Sequence, residues 1–511
     1  MTTPELYLSL LSGRQGDVSH LSTEQRHNDV GSRLSGHPFP NDPDRLMDLL
    51  DALAAVCVWK EEKQVMFVSL SMTMDPKAAT LYVSSNETVP ATVTSHLRII
   101  RGQLKELQSV VVPKQSSVVV PKQSIPPDIE TSPDPSKTQA RTEGELKIQK
   151  TIYEYSYGKL RQRFNKWAPD ILAKYDAFTK SSNLNIQDAT LLQATHLALK
   201  HIQSLLRSKR PPPDLSRLIW MIDKLSGSWQ DHLNAAGIEE ILTRWDNYID
   251  AGRNRKLSLR RLLKKLFTLH HHIRTIMRIA WSRRLSPFLD GQFDVVAVPA
   301  ACYDISIRVS EQAVLPVIFP AREQKHLPIY DDILKRLQEK AESEGVKIEK
   351  GKLSMKQAAV HAECTLLAYH IQHPNIHPYC YFGGSKLSCH GCATFFSSYN
   401  LVAESFHLPQ FFTKGSHNKI YLRWTCPHLL PLQRFKPLQP GTLSLDAQVK
   451  QKMIAALGKE LIAYVDELRA VRAGPSPSQS DSTAASGDSR EDANESLADL
   501  IAGLAQLDDQ V

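Results

Sequence analysis

Two short motifs constrain the fold of this chain more than any other feature of its sequence. His361 and Glu363 form a His-x-Glu pair, and Cys389 and Cys392 form a Cys-x-x-Cys pair that begins 28 residues after the histidine. Imidazole nitrogen and thiolate sulfur are ligands that Zn²⁺ prefers in proteins. Because one ion would need all three ligands at a single point, the fold has to bring the two motifs together.

The spacing of apolar residues predicts four elements around these motifs. They are a helix over 358–370, a short buried strand over 379–382, a helix over 389–399 and a strand over 419–425. A Cys-x-x-Cys turn that opens a helix points both sulfurs at one ion, and the helix N-terminus favours their negative charge. We therefore predict that His361, Cys389 and Cys392 bind Zn²⁺ and leave a fourth position for water.

Glu363 lies two residues after the first ligand and suits a role in proton transfer. Hydrolytic deamination needs a group that takes a proton from the zinc-bound water and delivers it to the ring nitrogen and the leaving ammonia. A carboxylate that is beside the metal without binding it meets this need. The motifs together predict a zinc-dependent hydrolase that removes the amine of a nucleobase, with Glu363 as the catalytic residue.

Cys364, one residue further on, is the basis of the alternative interpretation. If Cys364 were a fourth protein ligand, the site would be closed and the zinc would be structural. Nothing would then require Glu363. The protein would be a catalytically inactive member of the same fold that works as an interaction module.

The residues around both motifs resemble the cytidine deaminase-like superfamily. The similarity runs through VHAECTLLAY (Val360–Tyr369), FGGSKLSCHGC (Phe382–Cys392) and GSHNKIYLRWTCP (Gly415–Pro427). More narrowly, the chain resembles a branch of zinc nucleic acid or nucleotide deaminases found in large fungal proteins. The resemblance implies an α/β fold with a three-layer α-β-α core, Zn²⁺ as the cofactor, and a nucleobase in a nucleoside, a nucleotide, RNA or single-stranded DNA as the substrate. Most members have proline before the first cysteine, where this chain has Ser388; the ligands are unaffected, but the similarity to nucleic-acid editors is weaker.

The superfamily also implies a β-hairpin before the His-x-Glu helix, with a substrate-binding asparagine at its end. The strands predicted over 64–74 and 78–85 form such a hairpin, and Asn86 follows them directly. The alternative is that residues 293–319 supply these two strands. His417 and Asn418, just before the strand predicted over 419–425, are further candidates for substrate binding.

Changes in composition and pattern predict how the chain is organised. The segments are a flexible N-terminus (1–41), an α/β segment that supplies the hairpin (42–108), a Pro-rich linker in which the octapeptide SVVVPKQS is duplicated (109–142), an all-α domain (143–288), the deaminase catalytic region (289–472) and an acidic disordered tail with a short helix (473–511). The all-α domain is therefore predicted to be a large insertion into the deaminase fold or its companion.

Charge and cysteine content suggest partners and a compartment. The net charge is +8, residues 251–289 contain no acidic residue, and the tail after Pro475 is acidic. The basic helix predicted over 256–281 is interpreted first as a packed helix with a solvated face; the positive charge leans toward nucleic acid, and the tail is expected to bind a protein partner or this helix. The chain has no apolar run of about 18 residues, no signal sequence and no disulfide framework, which predicts an intracellular protein, cytoplasmic or nuclear, without a membrane segment.

Overall fold

The structure is a computed structural model of the 511-residue chain. It describes residues 3–14, 43–60, 64–74, 76–111, 135–181, 186–230, 242–243, 245–247, 259–282, 285–318, 327–429 and 443–473. The duplicated octapeptide lies almost entirely outside the described residues, and so does the acidic tail.

The described part of the chain contains eight strands and fourteen α-helices of five residues or more. The strands are β1 (Met66–Met74), β2 (Lys77–Ser85), β3 (Gln292–Ala297), β4 (Cys302–Arg308), β5 (Lys347–Glu349), β6 (Lys352–Ala359), β7 (Tyr381–Gly384) and β8 (Phe412–Thr413). The helices are α1 (Pro4–Leu11), α2 (Pro43–Val56), α3 (Ala91–Val111), α4 (Pro135–Asn165), α5 (Ala168–Ser181), α6 (Ile186–Leu205), α7 (Leu215–Gln230), α8 (Leu259–Trp281), α9 (Ser286–Asp290), α10 (Glu311–Ile318), α11 (Leu327–Glu344), α12 (Ala362–Gln372), α13 (His390–Ala403) and α14 (Leu445–Ala473).

The residues form two compact units. The sheet unit comprises Met1–Ala55, Val65–Arg98 and Asp290–Gln479, and the helical unit comprises Val56–Gln64, Ile99–Leu289 and Ser480–Val511. In chain order, most of the helical unit therefore falls between two parts of the sheet unit. The hairpin β1–β2 belongs to the sheet unit together with both metal-ligand motifs.

The larger sheet has the strand order β3-β2-β1-β7-β8. β1 pairs antiparallel with β2 along its full length and with β7 through Phe67 and Gly384, whereas β7 pairs parallel with β8. The hairpin over residues 66–85, and not the segment 293–319, is thus the neighbour of the strand that leads to Cys389. From the segment 293–319, β3 extends the edge of this sheet beside β2, and β4 joins a second sheet of order β4-β6-β5.

Burial of apolar side chains explains why these strands and helices form. The sheet unit has a continuous core in which Phe382, Phe395 and Phe411 are almost fully buried. Gly383 is required where β7 meets α2, because a Cβ at this position would overlap the backbone of Leu50. In the helical unit, large side chains such as Trp229 and Tyr153 are buried in the same way.

Two predicted elements differ from the structure near the site. The helix predicted over 358–370 is instead the end of β6 followed by α12, because His361 has an extended backbone (φ −67°, ψ 153°) and precedes the first helical turn. The segment 419–425, predicted as a strand, makes a turn in which the Trp424 amide donates to the Tyr421 carbonyl. Only a single bridge between Trp424 and Ala359 has strand-like pairing.

The boundaries also differ at the N-terminus and at the linker. Residues 4–11, predicted to be flexible, form α1, since the Thr3 hydroxyl caps the helix and four of its leucines are buried. The predicted linker 109–142 ends earlier than expected, because α4 already begins at Pro135, a residue favoured in the first turn of a helix. Among the helices of the described residues, none combines the length and apolarity that a membrane span requires.

Candidate active site

The two sequence motifs meet in the sheet unit and form a triangle of potential metal ligands. His361 Nδ1 lies 3.4 Å from Cys389 Sγ and 3.3 Å from Cys392 Sγ, and the two sulfurs are 3.4 Å apart. Ligands at ordinary zinc distances in a tetrahedron are separated by about 3.5–3.8 Å. The triangle is a few tenths of an ångström smaller and is therefore of the right size for one ion.

Local sequence explains the position of both cysteines. Cys389 is the N-cap of α13, and its sulfur accepts a hydrogen bond from the Cys392 amide at 3.5 Å. Gly391, one of the two residues between them, has to be small, because a Cβ there would come within 3.0 Å of Trp424 and Leu8. The N-terminus of α13 thus presents both sulfurs to the same point.

The chemistry of this triangle fits a divalent cation. Cys389 and Cys392 are 3% and 0% exposed, and burial is the main cause that raises the pKa of each thiol well above its ordinary value. A buried pair of thiolates is therefore unfavourable unless a cation compensates their charge. Two thiolates and one imidazole bind Zn²⁺ well.

Glu363 lies beside the triangle and is 2% exposed. Burial raises the pKa of its carboxyl group, while hydrogen bonds with Cys392 and Ser388 act in the opposite direction. Its Oε2 atom is buried and has no hydrogen-bond partner among the described residues. A buried carboxylate oxygen without a partner is costly for stability and indicates a functional position.

Cys364 is not a member of the metal-ligand cluster. The group of ligand atoms that lie within 4.8 Å of one another consists of His361, Cys389 and Cys392 in the part of the chain that the structure describes. Cys364 is fully buried, and burial raises its thiol pKa to about 12. The geometry is thus that of a site with three protein ligands.

Asn86 lies next to His361, although the two residues are far apart in sequence. Asn86 Oδ1 accepts a hydrogen bond of 2.9 Å from the Ala362 amide, and Ser84 Oγ donates one of 2.6 Å to the Ala362 carbonyl. The end of the hairpin is thus fastened to the first residue of α12. Its amide oxygen accepts one hydrogen bond from the backbone, and the side-chain nitrogen is a donor for the role predicted for Asn86.

His417 and Asn418, the other predicted substrate-binding residues, differ in their placement. His417 is half-buried, and its amide donates to the Ser388 carbonyl at 3.0 Å. Burial lowers the pKa of the His417 imidazole, and nearby lysines and His361 lower it further. Asn418 is exposed and has a left-handed backbone (φ 55°). The structure therefore brings His417 to the edge of the site and leaves Asn418 in a surface turn.

Two aromatic residues in the same segment lie near the site, one of them exposed and the other buried. Tyr421 is 39% exposed, and its ring centroid lies 6.0 Å from those of His361 and His417. Trp424 is 1% exposed and donates its indole N–H to Cys392 Sγ at 3.2 Å. Tyr421 thus forms an open wall of the site, while Trp424 supports a metal ligand from behind.

Asp51 connects several segments that hold the Cys-x-x-Cys turn. This buried carboxylate accepts hydrogen bonds from the Gly384 amide (2.8 Å) and the Tyr381 hydroxyl (3.0 Å), and it lies 3.1 Å from Lys414 Nζ. The residues beside Lys414 in turn bind Ser388, since the Gly415 carbonyl accepts from its amide. No sequence pattern marked Asp51, which lies in a helix more than 300 residues before its partners in β7.

Fold and site together define a mixed α/β protein with a His-Cys-Cys metal-ligand cluster of the kind found in zinc deaminases. A family model described as "OTT_1508_deam:-like deaminase" matches residues 360–428. This range includes His361, Glu363 and both cysteines, so the region is a deaminase-like domain of the cytidine deaminase-like superfamily, as the motifs predicted. Searches of curated proteins and of solved structures gave no match to the chain. The branch of the superfamily stays a prediction from the sequence.

Proposed function

We propose that the protein is a zinc-dependent hydrolytic deaminase that converts the exocyclic amine of a nucleobase to a carbonyl and releases ammonia. The observation that carries this proposal is the buried Glu363 beside a cluster of three metal ligands. A structural zinc site would need a fourth ligand and would give no reason to bury a carboxylate there. The position of Cys364 outside the cluster favours the enzyme over the inactive interaction module for the same reason.

The ligands for Zn²⁺ in this mechanism are His361, Cys389 and Cys392. A bound Zn²⁺ supplies Lewis acidity that lowers the pKa of water to near neutrality. Glu363 accepts the proton of the attacking water and passes it to the ring nitrogen, and it then takes the proton of the newly added hydroxyl and delivers it to the departing amine. Water adds one oxygen to the ring carbon, the carbon–nitrogen bond breaks, and the products are a carbonyl and ammonia.

The surroundings of the cluster are consistent with a flat, nitrogen-rich substrate. Tyr421 offers an exposed aromatic ring beside His361, and His417 lies next to it. Rings of this kind stack on bases, and the amide nitrogen of Asn86 is a donor for a polar group of the substrate. A nucleoside, a nucleotide, RNA and single-stranded DNA all present such a base. Duplexes do not, because a base has to leave the stack before it reaches a buried metal.

The order β2-β1-β7-β8, with α12 and α13 attached to these strands in sequence, supports the three-layer core that the superfamily implies.

The free cysteines are consistent with the proposed intracellular location, since the described residues contain no disulfide. The proposed partnership of the acidic tail with a protein or with the basic helix involves residues outside the described ones.

Ammonia release from nucleosides, nucleotides, RNA and single-stranded DNA tests this function directly. We expect wild-type protein loaded with zinc to release ammonia from one of these classes and the Glu363→Gln variant to lose at least about a thousandfold in kcat with zinc retained. Glu342→Gln, at an exposed position of α11, is the matched control and should be unaffected. Equal rates for wild type and Glu363→Gln on every substrate, with zinc bound to both, would contradict the proposal.

A further inference from the structure

The helix α8 of the helical unit has an apolar side and a basic side. Its buried positions include Leu262, Leu266, Ile273 and Ile276, which recur at helical spacing. Its exposed positions form one face and are Arg261, Lys264, Thr268, His271, Arg274 and Arg278. We call this face the basic stripe. From Arg261 to Arg278 it is about 26 Å long at a helical rise of about 1.5 Å per residue.

Three cations of the basic stripe have no salt-bridge partner in the described part of the chain. Residues 251–289 contain no aspartate or glutamate, and no salt bridge among the described residues involves Lys264, Arg274 or Arg278. Asp223 of α7 interacts electrostatically with Arg274 and lies 2.9 Å from Nε2 of the buried His270. The His270 hydrogen bond is the largest cause that lowers the pKa of Asp223, and Arg274 and Lys224 add to this effect. Asp223 therefore lies near two cations, Arg274 and Lys224.

The exposed side chains of the stripe favour one kind of partner. All except Thr268 are basic or imidazole side chains, and none is apolar. A helix that binds a membrane surface inserts apolar side chains beside its cations, and this face has none to insert. Arginine and lysine in a row match a row of phosphates instead, since each phosphate contact releases a counterion.

We propose that the basic stripe binds the phosphate backbone of a single-stranded nucleic acid. The choice of single-stranded nucleic acid over other polyanions rests on the proposed deaminase function, because that reaction needs an unstacked base. The contacts are to phosphates and therefore carry no sequence preference. The stripe thus supplies affinity for the strand, while the chemistry belongs to the sheet unit.

Fluorescence anisotropy with labelled 20-nucleotide RNA and DNA strands, from 50 to 200 mM salt, tests the proposal on the full chain. We expect binding that weakens steeply with salt. Replacing Lys264, Arg274 and Arg278 with alanine together should make the slope of log K against log salt about 2 less negative, since each contact with a single strand contributes about 0.7. At 0.1 M salt this corresponds to an affinity about 100-fold lower.

A second triple variant controls for net charge. Lys200, Arg207 and Lys209 are exposed in the same unit, and their replacement with alanine removes the same charge away from the stripe. We expect this variant to bind within about threefold of wild type. Equal losses in both triple variants would overturn the proposal, as would absence of strand binding by wild type or preferential binding to phosphatidylserine vesicles or polyglutamate. If the alanine variant unfolds by circular dichroism, glutamine at the same three positions replaces it.

The Glu363→Gln variant separates this proposal from the proposed function. If Glu363→Gln binds the strand as wild type does but releases no ammonia, the two roles are independent. If wild type binds the strand and neither protein releases ammonia from any substrate, the proposed function fails while the stripe stands. If wild type deaminates free nucleosides only and neither protein binds the strand, the stripe proposal fails while the proposed function stands.

Discussion

The two units of the molecule build their candidate functional features in different ways. In the sheet unit, the site combines residues from distant parts of the chain, and Asn86 bonds to a residue 276 positions later. In the helical unit, the basic stripe comes from the single helix α8. A site assembled from distant segments depends on every contact that holds those segments together, whereas residues on one helix face act almost independently. Substitutions should therefore propagate in the sheet unit and add up in the helical unit.

Loss of a metal ligand should give the largest effect of any single substitution in the sheet unit. We expect Cys392→Ala to lower the affinity for Zn²⁺ on the order of a thousandfold, since each ligand supplies several kcal/mol of the metal-binding free energy. Competition with a chromophoric chelator measures this change. Cys364→Ala, at the neighbouring buried thiol, should bind zinc with affinity close to that of wild type. Equal losses in the two variants would mean that Cys364 is a ligand and that the site is closed.

Local sequence was enough to predict that His361, Cys389 and Cys392 come together in a cluster compatible with metal binding. His361, Cys389 and Cys392 lie in two motifs whose spacing carries the signal, and each ligand is at or beside the start of a helix. The neighbouring helix predicted over 358–370 was wrong at its start, because apolar periodicity does not distinguish the end of a strand from the first turn of a short helix. The strand predicted over 419–425 was wrong for a related reason, since alternation of side chains cannot show that the segment turns and pairs with β6 only at Ala359.

Long-range contacts were beyond the reach of the sequence. Asp51 and Trp424 have no local signature that distinguishes them from other residues of an amphipathic helix or of a buried segment. Their roles depend on which residues the fold places beside them, namely Gly384 for Asp51 and Cys392 for Trp424. In the helical unit, by contrast, the exposed face of α8 follows directly from helical spacing, because the relevant neighbours are three or four residues apart.

The same substitution, aspartate to alanine, can be made at one position in each unit to compare its cost in stability. Asp51 of the sheet unit is 1% exposed and binds an amide, a hydroxyl and an ammonium group. We expect Asp51→Ala to destabilise β7 by about 3 kcal/mol, because the buried partners lose a charged acceptor. Asp223 of the helical unit has a half-exposed side chain, and Asp223→Ala should cost about 1 kcal/mol.

Hydrogen exchange followed by mass spectrometry measures both effects within one chain. The amides of Tyr381–Gly384 should lose protection in Asp51→Ala, while those of α8 keep theirs. Loss of protection in both units after the Asp51 substitution would contradict the local argument. Equal losses of stability in Asp51→Ala and Asp223→Ala would show that burial of Asp51 does not increase its contribution to stability.

Acid should weaken the sheet unit through His370, which is 4% exposed and has its Nε2 atom 2.6 Å from Ser69 Oγ. Burial, with a smaller contribution from His373, lowers the pKa of His370 to about 3. Between this value and the unfolded value of about 6.5, the unfolded chain binds the extra proton, so stability falls as pH falls. From pH 7 to pH 5 we expect a loss of about 2 kcal/mol.

The His370→Asn variant isolates this contribution, because asparagine keeps a hydrogen-bonding group for Ser69 but does not titrate. Urea unfolding of the sheet unit can be monitored by hydrogen exchange of the β7 amides at pH 7 and at pH 5. The difference in the free energy of unfolding between the two pH values should be smaller by about 2 kcal/mol in His370→Asn than in wild type. An unchanged pH dependence in the variant would show that other groups cause the acid sensitivity.

The smallest expected effect concerns the indole N–H of Trp424, which donates to a metal ligand from outside the cluster. Trp424→Phe keeps an aromatic ring against Gly391 but removes the hydrogen bond to the Cys392 sulfur. We expect about tenfold weaker binding of Zn²⁺, within the usual range for partners of metal ligands. In the cobalt-substituted protein, the sulfur-to-metal charge-transfer band should shift to lower energy, because the thiolate loses a donor that withdraws electron density.

Trp281→Phe in the helical unit is the matched control, since Trp281 contacts Arg141 and no metal ligand. It should leave both the zinc affinity and the cobalt spectrum unchanged. If Trp424→Phe fails to fold, replacement of Trp424 by benzothienylalanine removes the N–H group with almost no change in shape. An unaltered affinity and spectrum in that protein would show that Trp424 only fills space behind Cys392, and that the sheet unit holds its ligands by packing alone.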